Sequence, residues 1–134
     1  MLARFPLNPI LPAQDGPRAE AFYRHVLGLD QVTAPGADPM AFTAGNGSLI
    51  VISELPDRVP PEYPVVSFLV EGVEALVDGL TERGVAFVAP KAASFAGLEG
   101  TIAGFVTDFG PVRSAWFRDS EGNVLALNEV VAAS

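Results

Sequence analysis

Residues 47–54 read GSLIVISE and residues 122–129 read GNVLALNE. Both octets run glycine, polar, aliphatic, aliphatic, small aliphatic, aliphatic, small polar, glutamate. Each closes a similar series of a short apolar run, an amphipathic helix and further strands. A repeat of this kind fixes the architecture, because each copy is one supersecondary unit with a face to bury. The copies divide a single domain spanning 1–134 into a first module of about 1–55 and a second of about 65–131. The stretch LPDRVPPEYP at 55–64 links them, since prolines and polar residues end regular structure.

Working outward from the octets, each module reads strand, helix, strand, strand, strand. Prolines at 6, 9 and 12 suit the first apolar run, Phe5 to Pro12, to an edge strand. Asp15 can cap a helix that has Pro17 in its first turn, carries Ala21, Phe22, Val26 and Leu27 at helical spacing, and ends at Gly28. A short strand follows at about 30–33, then Met40 to Ala44, a turn at Gly45-Asn46-Gly47, and the first octet. In the second module Val65 to Val70 is a strand, and a helix spans about 72–83 with Val73, Leu76, Val77 and Leu80 on its apolar face. Val85 to Val88 and Val112 to Arg118 are strands, and the last strand is 123–130. Residues 91–111, broken by Gly97, Gly100, Gly104 and Gly110, read as a long loop containing a short strand.

Composition narrows the function. A chain of 134 residues, 49% hydrophobic, is long enough to build a core. It contains no cysteine, which removes disulfides and thiolate metal sites and fits a cytoplasmic protein. No apolar stretch approaches the ~20 residues of a membrane span, and the N-terminus does not read as a signal peptide. Sixteen acidic against eight basic residues give a formal charge of −8. Phosphate backbones need clustered positive charge, so nucleic acid is excluded as a partner. The acidity either serves solubility, its commoner use, or draws in a cationic ligand.

The segments AFYRHVLGL (21–29), VSFLVEGVEALVDGLTERGV (66–85) and AWFRDSEGNVLALNE (115–129) resemble the glyoxalase/bleomycin-resistance/extradiol-dioxygenase superfamily, the vicinal oxygen chelate fold. Ser120 stands where that family's turn usually has proline. The resemblance covers almost the whole chain and is specific for the superfamily, not for one activity. It implies an α+β fold of two βαβββ modules that form a curled mixed-sheet cup, with helices on the convex face and the ligand on the concave one. It also implies, for the metalloenzymes, one metal held by four side chains from the first and last strands of the two modules. Those positions fall on Asn8, Val51, Val65 and Ala126. Valine and alanine offer no lone pair and Asn8 offers one neutral oxygen, whereas a divalent first-row metal takes three or more N, O or S donors. No metal and no other cofactor is expected.

Without metal ligands the cup becomes an apolar groove. Alternation of period two sends Val65, Ser67 and Leu69 to the cup and Val66, Phe68 and Val70 to the helices. It sends Ser114, Trp116 and Arg118 to the face opposite Ala115 and Phe117. Comparison with the superfamily places Trp116, Met40 and Phe42 on the cup side; Val124, Ala126 and Asn128 follow from the last strand, and Leu49, Val51 and Ser53 from its repeat partner. Trp and Phe would stack on a planar ligand and Met would adapt to its shape, although the same side chains also suit a core. Phe95, Phe105 and Phe109 either close over the ligand, reach across a dimer or pin the 91–111 loop.

No catalytic residue is assigned. His25, the only histidine, sits mid-helix away from the cup, and no Ser-His-Asp or Cys-His system can be assembled. The leading expectation, by resemblance to the bleomycin-resistance branch, is a metal-free homodimer that sequesters a hydrophobic or aromatic natural product, cationic if the acidity steers it. The alternative is a metal-independent lyase or isomerase using Asp108, Glu99, Arg113 or Arg118. A weaker third reading is a scaffold domain whose cup only packs.

Overall fold

Proline has no N–H to give a ladder, and this decides where the first strand can lie. In the computed structural model, which describes residues 1–89, 94, 95 and 98–131, strand β1 (Ile10–Ala13) occupies a sheet edge. It pairs in parallel with β4 (Leu49–Glu54). The chain divides inside the proline-rich stretch into two units, Met1–Pro60 and Pro61–Ser134.

In the first unit, Asp15 Oδ1 accepts the Arg18 N–H at 3.0 Å and starts helix α1 (Gly16–Ala21). The helix widens into a π-helical turn over Phe22–Val26, closed by the Leu27 N–H donating to the Phe22 carbonyl at 3.0 Å. Gly28 ends it at φ 74°, a conformation that favours glycine. Strands β2 (Asp30–Gln31) and β3 (Met40–Thr43) complete a sheet of order β1-β4-β3-β2. Leu11, Ala13, Met40, Phe42, Ile50 and Ile52 are buried on one face with Ala19 and Tyr23 of the helical segment. Tyr23 stacks on Phe42 with ring centroids 5.6 Å apart.

That stacking corrects the expected placement of Met40 and Phe42. Both point to the helix and are 2% and 0% exposed, and Ala41 and Thr43 take the open face instead. The reason is register. The antiparallel pairing sets Phe42 opposite Ile50 and Ala41 opposite Val51. Because side chains alternate with period two, an assignment one residue out moves the whole strand to the other face.

The second unit repeats the plan. Strand β5 (Pro64–Leu69), helix α2 (Val73–Glu82), β6 (Ala86–Val88), β11 (Val112–Arg118) and β12 (Val124–Val130) follow the expected order. Here too the first and last strands pair in parallel, with Ala126 beside Ser67. Val73, Val77, Ala115, Phe117, Leu125 and Leu127 are buried between helix and sheet. The turn between the last two strands is held from within. Asp119 Oδ1 accepts the N–H groups of Glu121 at 2.9 Å and Asn123 at 2.8 Å, and Asn123 Nδ2 donates to Asp119 Oδ2 at 2.8 Å. This network is what the Asp-x-x-Gly-Asn spacing of the turn encodes.

Among the described residues of the stretch expected as a long loop, most lie in short strands. Between β6 and β11 lie the short ladder β7 (Ser94–Phe95) with β8 (Leu98–Glu99), then a hairpin of β9 (Thr101–Ala103) and β10 (Val106–Asp108) turning at Gly104 with φ 62°. β10 and β6 lie end to end on the same edge of β11, giving the order β5-β12-β11-β10-β9. Glycines mark the turn and one close approach. A methyl on Gly100 would lie 2.6 Å from Thr107 Cγ2 and 3.0 Å from the Phe109 ring. Phe105 rests on Phe87, centroids 5.9 Å apart, and Phe87 lies 5.7 Å from Phe117, so Phe105 pins the hairpin to the sheet. The Phe95 side chain, and with it the question of loop closure at 91–97, falls outside the described residues.

The glutamate that ends each octet has the same use in both units. Glu54 Oε1 accepts the Gly16 N–H at 3.4 Å at the start of α1. Glu129 accepts the Gly72 N–H at 2.8 Å and the Val73 N–H at 3.3 Å at the start of α2. Helix N-termini leave N–H groups unpaired and carry partial positive charge, so a carboxylate suits them. Gly72, the α2 N-cap, has no side chain to do this itself. Among the described residues, no helix is long and apolar enough to cross a membrane.

Two outcomes are expected. Phe42→Ala removes a fully buried ring and destabilises the fold by about 3–5 kcal/mol in urea titration; a loss under ~1 kcal/mol would return Phe42 to the open face. The two backbone N–H groups, Gly72's first, hold the Glu129 carboxyl below its ordinary value of 4.5. A group with a depressed folded pKa contributes stability that is whole above the unfolded value and is lost as pH falls through the folded one. Wild type should therefore lose thermal stability below pH 4.5 more steeply than Glu129→Gln, the two melting curves converging in acid. A difference that stays constant with pH would remove the cap from the account.

Candidate functional site

Each sheet has one face under its helix and one open face. In the second unit the sides are fixed by polar contacts as well as burial. Glu129 and Arg113 reach α2, the latter through Nη1 to Glu74 Oε1 at 3.4 Å, so residues of the same parity, Ala115, Phe117, Leu125 and Leu127, face the helix. The opposite face carries Ser114, Trp116 and Arg118 from β11, Ala126 and Asn128 from β12, and Val65, Ser67 and Leu69 from β5. Cross-strand register joins Ser114 to Asn128, Trp116 to Ala126, Ala126 to Ser67 and Asn128 to Leu69.

Exposure rises across this face. Val124 and Ala126 are buried, Ser114, Arg118 and Asn128 are half-buried, and Trp116 is 37% and Leu69 79% exposed. An indole left this open on a central strand is unusual, because aromatic rings carry large burial energies. The polar groups are ordered. Ser114 Oγ donates to Asn128 Oδ1 at 2.7 Å, and Arg118 Nη1 donates to the Gly122 carbonyl at 3.0 Å, so the cation is tied to the adjacent turn.

The first unit's open face carries Leu49, Val51 and Ser53, all half-buried, with Ala41 and Thr43 in the places assigned to Met40 and Phe42. Ile10 lies beside Val51 and is exposed, a position the sequence reading passed over. Asn8 is exposed just ahead of β1, next to Pro9, whose carbonyl accepts the Val51 N–H at 3.0 Å. A signal for Ala41 and Thr43 existed. The offset that carries Gly47 to Gly122 also carries Phe42 to Phe117, and Phe117 reads as helix-facing.

The four positions on which the resemblance places the superfamily's metal ligands do not offer the donors a metal needs. Val51, Val65 and Ala126 have no donor atom, and Asn8 alone supplies one neutral oxygen. Among the described residues, no group of three or more His, Cys, Asp or Glu side chains gathers. Three of the four charged residues considered for acid–base work, Asp108, Arg113 and Arg118, are engaged elsewhere. Asp108 Oδ1 accepts the Gly110 N–H at 2.8 Å, and its Oδ2 lies 3.4 Å from Arg113 Nε. Glu99 and His25 are exposed.

The pattern of the Glyoxalase/Bleomycin resistance protein/Dioxygenase superfamily matches residues 7–127. The chain belongs to that superfamily. Solved structures agree on the fold. A glyoxalase/bleomycin resistance protein from Catenulispora acidiphila is similar at 26% identity, with 93% of this chain and 97% of that one covered and a TM-score of 0.62. A glyoxalase family protein from Bacillus anthracis shares 18% identity over 94% of this chain and 95% of its own, with a TM-score of 0.68. An integron cassette protein from the mobile metagenome of the Halifax Harbour sewage outfall shares 17% over 95% and 99%, with a TM-score of 0.67. No curated protein matches the chain in sequence. Membership of the superfamily supports a protein that binds small molecules or acts on them as an enzyme.

Proposed function

We propose that this protein binds a planar, hydrophobic or aromatic small molecule against Trp116 and sequesters it without a metal and without chemistry. It does so as a cytoplasmic homodimer resembling the bleomycin-resistance branch, in an antibiotic-resistance role. The observation that carries the reading is the indole of Trp116, 37% exposed on an otherwise regular sheet face. Stacking on an aromatic ligand contributes about 0.5–1.5 kcal/mol beyond the area buried. The lining around it, Val65, Ser67, Leu69 and Ala126, is apolar or neutral, as small-molecule sites mostly are. Sequestration requires affinity alone, which fits a face whose nearest cation, Arg118, is held by a backbone carbonyl. The formal charge of −8 favours a cationic ligand over an anionic one at long range.

Trp116 is the single tryptophan, so intrinsic fluorescence reports on this position alone. Binding of a planar aromatic probe such as naphthalene should change that emission, and calorimetry should show Trp116→Ala weakening the probe by about tenfold. Equal affinity in both proteins would remove Trp116 from the site. A native mass spectrum of the purified protein should show a dimer carrying an organic adduct that is released chemically intact. One stoichiometric metal ion per chain would overturn the metal-free reading.

A further inference from the structure

The Ser114–Asn128 pair is directional. The Ser114 hydroxyl donates to Asn128 Oδ1, which turns the other end of the amide, Nδ2, away from Ser114. Among the described residues nothing accepts from Nδ2, although Asn128 is half-buried. That donor is open to solvent and is not among the buried unsatisfied groups, so an acceptor on a ligand takes the place of water there, worth one ordinary hydrogen bond. Asn128 stands two residues beyond Ala126, the cross-strand partner of Trp116, so it is the diagonal neighbour of the indole at ~7 Å. The side chains nearest the pair on this face, Ala126, Ser67, Leu69 and Trp116, are all uncharged.

We infer that Asn128, oriented by Ser114, determines specificity here and selects neutral planar ring systems that bear a carbonyl acceptor. This inference rests on the reading that the ligand lies on Trp116. A ring centred on the indole places a carbonyl on its rim within reach of Asn128 Nδ2. A carboxylate would also accept, but the chain's formal charge of −8 opposes an anion at long range, and among the described residues the cation of this face, Arg118, already donates from Nη1 to the Gly122 carbonyl. A site that offers a fixed donor also discriminates against isosteres lacking the acceptor, which leave the donor unpaired.

Coumarin and naphthalene make a suitable pair, being bicyclic, planar and close in size, with and without a carbonyl. Their affinities are measured by calorimetry for wild type, Asn128→Leu and Ser114→Ala. The ratio of coumarin to naphthalene affinity should fall about fivefold from wild type to Asn128→Leu, the value of one ordinary hydrogen bond. Ser114→Ala, which keeps the amide but frees its rotation, should lower the ratio by a smaller factor. An unchanged ratio in Asn128→Leu overturns the inference and leaves the Trp116 platform standing. If Asn128→Leu binds neither probe, Ser114→Ala decides: a lowered ratio supports the inference and an unchanged one overturns it. Failure of wild type to bind either compound removes the platform and the inference with it.

Discussion

Each unit is organised by one contact, a carboxylate at the end of the last strand seated on the first N–H groups of the helix. Glu54 meets Gly16, and Glu129 meets Gly72 and Val73. A strand alternates its side chains strictly, so a glutamate fixed toward the helix fixes every residue before it. Ile52 and Ile50, then Leu127 and Leu125, go to the helix side and are buried. Val51 and Ala126, three positions before the glutamates, go to the other side. The same contact leaves Gly72 free to be the α2 N-cap in a left-handed conformation, φ 71°, without a capping side chain of its own. Loss of the contact would unsettle helix seating and strand parity together.

Much of this was legible in the chain. The paired octets identified two βαβββ modules. Asp15 and Gly28 marked the ends of the first helical segment, and the Val112–Arg118 strand could be bounded without coordinates. Two things were not read correctly, for different reasons. Met40 and Phe42 were assigned by likeness to other proteins and not by pairing, although the three-residue turn Gly45–Gly47 already sets Thr43 opposite Leu49. Residues 98–108 were read through their glycines. Those glycines mark a turn at Gly104 and a packing contact at Gly100, and the residues between them pair as strands. Sequence alone does not show that β10 finds the free half of the β11 edge, because that depends on β6 ending at Val88.

For the site, charge turned out to be a poor guide and neutral polarity a better one. Arg113, Asp108 and Glu74 bind one another around the helix side of the sheet, and Arg118 holds a turn carbonyl. The exposed ion pairs contribute little stability, but they hold Arg113, Asp108 and Glu74 on the helix side, while Arg118 stays on the open face with one donor on the turn. Beside it that face carries an indole and an amide with an oriented donor. Recognition of the kind proposed, built on a ring and one hydrogen bond, discriminates by shape and by acceptor position.

The two units show how such a face arises from duplication. The offset that relates the octets also relates the strands before them, so Phe42 corresponds to Phe117 and Ile52 to Leu127, all buried toward their helices. The same offset relates Trp116 to Ala41, Ser114 to Pro39 and Asn128 to Ser53. The core positions have kept large apolar side chains in both copies because a cavity there costs several kcal/mol. The open positions carry no such constraint, and they differ at all three places where the second unit presents its indole and its hydroxyl–amide pair. The asymmetry therefore lies at positions that core packing does not constrain, which is where the proposed ligand would act.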